Sequence, residues 1–85
     1  MIDEELKRGE RVDGETVMER LAYQRYIRGV TVKGTAKRIG IDRVMLSNYE
    51  LGKTNAPFFV VEALCDLFGF KVIIEDTKGN KIYEN

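Results

Sequence analysis

Apolar residues recur at helical spacing over most of the chain and then change period after Gly69. Val17, Leu21 and a group of Tyr23, Tyr26 and Ile27 predict a helix over 16–28, closed by Gly29. Thr31 is a capping residue for a second helix running to Ile39, with Ala36 and Ile39 facing inward and Gly34 as a weak point. Gly40 ends that helix and Asp42 caps a third, from Arg43 to about Leu51, with Met45, Leu46 and Tyr49 facing inward. Gly52 stops it. Pro57, placed at the first helical position, opens a fourth helix through Phe68, with Val60, Val61, Leu64, Leu67 and Phe68 on its apolar face.

The last stretch, FKVIIEDTKGNKIYEN, is rich in β-branched residues and is split by Asp76-Thr77-Lys78-Gly79-Asn80. It predicts a hairpin with strands near Phe70–Glu75 and Lys81–Glu84. The fold class expected is therefore mainly α: a four-helix, bundle-like helix-turn-helix domain over 16–69, a polar arm over 1–15 and a C-terminal β-hairpin over 70–85.

The net charge of zero conceals opposed blocks. Residues 1–19 hold seven acids and three bases, residues 20–53 eight bases and two acids, and residues 54–85 five acids and three bases. The basic block coincides with the second and third helices, which the glycine turn forces to cross steeply. That arrangement places a helix end in the DNA major groove, where short polar side chains reach base edges. The outward positions of the third helix are Arg43, Val44, Ser47 and Asn48, the candidate base contacts. Arginine pairs with guanine, asparagine with adenine, and Val44 can meet a thymine methyl. The start of the second helix, Thr31 to Lys33, is a place for a phosphate.

Other classes fare worse. There is no histidine and one cysteine, Cys65, so neither a zinc site nor an internal disulfide is expected, and Cys65 fits a buried helix face. No paired nucleophile and base and no phosphate-binding glycine loop appear, so neither an enzyme nor a bound cofactor is expected. Apolar runs are too short for a membrane span, and the charged N-terminal stretch lacks the core of a signal peptide, so a cytoplasmic protein is expected.

The run VTVKGTAKRIGIDRVMLSNYELGKTNAP, Val30 to Pro57, resembles the helix-turn-helix family of phage repressors, Cro proteins and xenobiotic-response-element regulators. Thr31, Ala36, Lys37, Arg38, Ile39, Gly40, Ile41, Leu46, Ser47, Tyr49, Glu50, Gly52, Lys53 and Pro57 fall on its pattern without a gap. The resemblance implies a transcriptional regulator, repressor-like, binding a double-stranded operator. It implies a buried ion pair between Arg25 and Glu50, and a loop of Lys53, Thr54 and Asn55 that holds phosphate through side chains and backbone amides, beside Thr31 and Lys33. The chain departs from the pattern at Val32, where glutamine is usual, and at Lys33-Gly34-Thr35, which loses a buried leucine. Gln24 also stands where helix one often has leucine, and the hairpin stands where a fifth helix is common. The apolar hairpin is the expected homodimer element. The alternative is a protein-directed module on the same scaffold, such as an antitoxin or a phage-encoded inhibitor or co-regulator.

Overall fold

A computed structural model describes residues 14–85, with side chains from Val17 onward. Four helices precede a two-stranded antiparallel hairpin: α1 (Gly14–Ile27), α2 (Val32–Ile39), α3 (Arg43–Glu50), α4 (Phe58–Phe68), β1 (Ile73–Glu75) and β2 (Lys81–Glu84). The mainly helical class with a terminal hairpin is the one expected. The first helix begins at Gly14, two residues before the anticipated start; the rest of the polar arm lies outside the described residues.

The α2–turn–α3 unit is built by local rules. The Thr31 hydroxyl accepts from the Gly34 N–H at 2.9 Å, and the Asp42 carboxylate accepts from the Val44 N–H at 2.9 Å. Each cap satisfies one of the donors that a helix start leaves open. Gly40 adopts φ 79°, the left-handed conformation that turns the chain without a Cβ clash, and the Ile41 N–H closes on the Ala36 carbonyl at 3.0 Å. Gly34 has its own reason. A Cβ there would lie 3.1 Å from the Thr31 capping hydroxyl, so the cap and a larger side chain compete for one space.

The core joins all four helices. Met18 and Leu21 of α1, Ala36 of α2, Leu46 and Tyr49 of α3, and Val60, Leu64, Cys65 and Phe68 of α4 form one buried cluster. Small residues on α2, Thr35 and Ala36, allow α3 to pack closely against it. Burial and the nearby Glu62 carboxylate push the Cys65 thiol above its ordinary pKa, which makes it a poor nucleophile.

Two expectations, for Met45 and Pro57, need correction. Met45 is 43% exposed, because it stands at the rim of the arc that buries Leu46 and Tyr49. Tyr23, Tyr26 and Ile27 are 53%, 75% and 53% exposed, on the face of α1 turned away from the core. Pro57 is the N-cap rather than the first helical residue. Its extended backbone (φ −66°, ψ 158°) aims its carbonyl at the N–H groups of Val60 and Val61.

The hairpin starts later than expected because Phe70 and Val72 pack against the helical core. Ile73 pairs with Glu84, Ile74 with Tyr83 and Glu75 with Lys81, so the ladder bulges at Ile82. The Asp76 carboxylate accepts from the N–H groups of Asn80 and Lys78, which hold it below the usual carboxylate range and shape the turn. Tyr83 meets Phe58 edge to face at 5.6 Å between ring centroids, tying the hairpin to the start of α4. The strand residues themselves stay exposed.

Thr35 is fully buried and its hydroxyl has no hydrogen-bond partner among the described residues. A buried hydroxyl left unpaired costs about 1–3 kcal/mol. Replacing Thr35 by valine keeps the branched shape and removes that cost. Thr35→Val should raise the stability by about 1 kcal/mol, read as a higher denaturation midpoint with unchanged m-value. A loss of stability would show that the hydroxyl is bonded in solution.

Candidate nucleic-acid interface

The basic block of the sequence divides once folded. The Arg25 guanidinium donates to Glu50 Oε2 from Nε at 2.8 Å and to Oε1 from Nη2 at 3.0 Å, while Nη1 donates to the Val30 carbonyl at 2.7 Å. The two side chains are only 17% and 10% exposed. This fork-to-fork arrangement joins the end of α1 to the end of α3 and so sets the angle at which α3 is presented. Arg28 donates to the Phe68 carbonyl at 3.0 Å and lies 5.0 Å from the centre of the Phe68 ring and 5.9 Å from that of Phe70. It is a clamp on the end of α4. Arg20 lines a groove between α1 and α4.

Lys33, Lys37, Arg38, Arg43 and Lys53 remain exposed on α2, α3 and the loop that follows. The two acids of the block are both engaged, Asp42 as the cap of α3 and Glu50 with Arg25. Asp42 keeps its charge at the exposed start of α3, but the five exposed cations outnumber it, so the surface of the α2–α3 unit is net cationic despite the neutral chain.

Of the candidate base contacts, Arg43, Val44 and Ser47 line one cleft together with Val32 and Lys33. Val44 is 57% exposed. Asn48, next to Ser47 on the same side of α3, is half-buried, and its side-chain amide makes no hydrogen bond among the described residues. Such an amide is available to a base edge. Lys33 is thus brought beside the candidate base contacts from the start of α2. Among the described residues Val32 is the lining residue left out of the candidate site; its standing where the resembled family has glutamine was the signal that could have found it.

The candidate phosphate contacts Thr31, Lys33, Lys53, Thr54 and Asn55 are all exposed. The backbone N–H groups of Lys53 and Thr54 turn back to the Asn48 carbonyl, at 3.0 and 3.5 Å, closing the end of α3. Those two amides serve the helix terminus. The Thr31 oxygen likewise accepts from Gly34, which leaves its hydroxyl proton free to donate outward.

No group of three or more candidate metal ligands occurs among the described residues. No described helix is long and apolar enough to cross a membrane.

In comparison with known proteins, a family model described as a helix-turn-helix domain matches residues 18–72. No curated protein and no solved structure matches the chain. The matched span runs from the first core residue of α1 to the foot of the hairpin and contains the whole α2–α3 unit, so this chain belongs to the helix-turn-helix domain family.

Proposed function

We propose that the protein is a sequence-specific DNA-binding transcriptional regulator of the phage repressor and Cro type, acting as a repressor in the cytoplasm. One observation carries the reading. The cleft that Arg43, Val44 and Ser47 share with Lys33 offers one face with cations, a hydroxyl and an apolar side chain, and no carboxylate lines it. Base edges in the major groove require that mixture, and phosphates require the cations around it.

A single short helix covers too few base pairs for selectivity, so the regulator acts as a homodimer on two half-sites. The hairpin supports this. Its two strands each have a single neighbour, and Ile73, Ile74 and Ile82 are 44%, 38% and 69% exposed. Pairing with the hairpin of a second copy would satisfy open backbone groups and cover those isoleucines. Ile74→Glu combined with Ile82→Glu should leave the helical domain folded, give a monomer in sedimentation and weaken operator binding. A variant that remains dimeric would move the interface to the helices.

Selection from random duplex DNA tests the reading itself. Enriched fragments should carry two related half-sites about one helical turn apart, and binding should fall steeply as salt rises. A second reading, a protein-directed module such as an antitoxin or a phage-encoded inhibitor, is favoured by the exposed Tyr23, Tyr26 and Ile27 on α1, apolar surface that DNA does not need. Absence of enrichment together with recovery of a defined protein partner would establish that reading instead.

A further inference from the structure

We propose that the groove between α1, α4 and the foot of the hairpin binds a small apolar monocarboxylate, with its tail against α1 and its acid at Gln24 and Lys71. The site lies apart from the α2–α3 surface, no residue of which lines it, and it is independent of DNA binding. The groove has a volume of about 310 Å³, within the roughly 300–1,000 Å³ of small-molecule sites. Val17 and Leu21 of α1, Val61 of α4, and Phe70 and Val72 at the hairpin foot make its apolar walls. Leu21 belongs to the buried core and the other four pack against it, so the walls are formed before any ligand arrives.

The polar residues of the groove set the chemistry of the ligand's head. Arg20 and Lys71 place cations along it, Gln24 adds an amide, and no carboxylate lines it among the described residues. Arg28 Nη2 donates to Gln24 Oε1 at 3.4 Å, and the same guanidinium lies 5.9 Å from the centre of the Phe70 ring. Gln24 therefore stands at the end of the groove where the hairpin foot begins, beside which Lys71 follows Phe70 in the chain. With its oxygen turned to Arg28, the Gln24 amide has its N–H groups left to donate. Lys71 makes only a loose 3.6 Å pair with Glu84 and its side chain is 73% exposed, so its ammonium keeps further donors. An amide and an ammonium together suit the two oxygens of a carboxylate. Leucine, usual at the Gln24 position in the resembled family, would leave this end without its amide donor. From Val17 to Gln24 the groove follows α1 for about 10 Å, the reach of a medium-length chain such as that of octanoate.

The experiment uses the full-length protein with isotope-labelled methyl groups and octanoate as the probe. Octanoate should shift the methyl resonances of Val17, Leu21, Val61 and Val72 and saturate at one equivalent per chain. Hexanoate, shorter by two methylenes, should bind about fifteenfold more weakly. Octylammonium, with the same tail and the opposite charge, should leave those resonances unmoved. Gln24→Leu should weaken octanoate about tenfold and Lys71→Ala about threefold, while octanol binds both variants as it binds the parent. That pattern separates loss of the head contact from damage to the groove. Octylammonium binding as well as octanoate, octanoate binding unchanged in both variants, or shifts confined to methyl groups outside the groove would each overturn the proposal. The selection from random duplex DNA is unaffected by any of these results.

Discussion

Arg25→Met should destabilise the fold by about 3–5 kcal/mol, and Glu50→Leu by a similar amount. In a domain of this size that is a fall in Tm of roughly 12 °C or more. The reason is asymmetric. The intact pair is nearly desolvated and its net contribution is small, because the attraction at 2.8 and 3.0 Å is offset by the loss of hydration of both groups. Removing one partner leaves the other charge buried without compensation. Loss of Arg25 also frees the Val30 carbonyl from its 2.7 Å hydrogen bond, at the junction between α1 and α2. The double variant Arg25→Met with Glu50→Leu should recover much of the loss, since two apolar side chains can meet across the same gap. Thermal denaturation of the three variants checks this. Single variants as stable as the parent would place both side chains in water. The pair holds the end of α3 against α1, so the double variant should bind DNA less well even where its stability is restored.

Asn48→Ala should weaken binding to the preferred duplex by about 1–3 kcal/mol, roughly five- to 150-fold, and relax the preference at one base pair. The amide has no internal hydrogen bond to lose among the described residues, so the fold should tolerate the change. Its role would be read in DNA alone. Lys53→Ala provides the contrast: an exposed cation beyond the end of α3 should weaken all sequences alike and lower the salt slope by about one unit. Titrations against the selected duplex and a scrambled one, at three salt concentrations, separate the two effects. Unchanged specific binding by Asn48→Ala would remove α3 from the recognition role.

What was legible in the chain was what local chemistry controls. Thr31 and Asp42 cap α2 and α3 because a cap needs only a side-chain oxygen two or three residues ahead of a donor. Gly40 and Gly69 end helices because the left-handed turn needs no distant partner. The outward arc of Arg43, Val44, Ser47 and Asn48 follows from helical period once Leu46 and Tyr49 are taken as the inner side. The Arg25–Glu50 contact is different: twenty-five residues separate its partners, and periodicity alone leaves each with several roles. Resemblance, rather than pattern, pointed to it.

Tertiary packing decided the rest, because burial and side-chain partners depend on which helices meet. Nothing in the order of residues distinguishes Arg28, held against Phe68 and Phe70, from Arg43, exposed on the outward arc of α3. Met45 and the Tyr23, Tyr26 and Ile27 group have apolar side chains at helical spacing, yet four helices have too few neighbours to cover both sides of α1 or the rim of α3. The amides of Lys53 and Thr54 turned inward because the end of α3 needed donors at its last carbonyls. By itself, the sequence determined the helices, the caps of α2 and α3 and the outward arc of α3, since these depend on neighbours a few residues away. Only the tertiary structure decided that Val32 and Lys33 stand beside that arc, since that depends on how α2 and α3 cross.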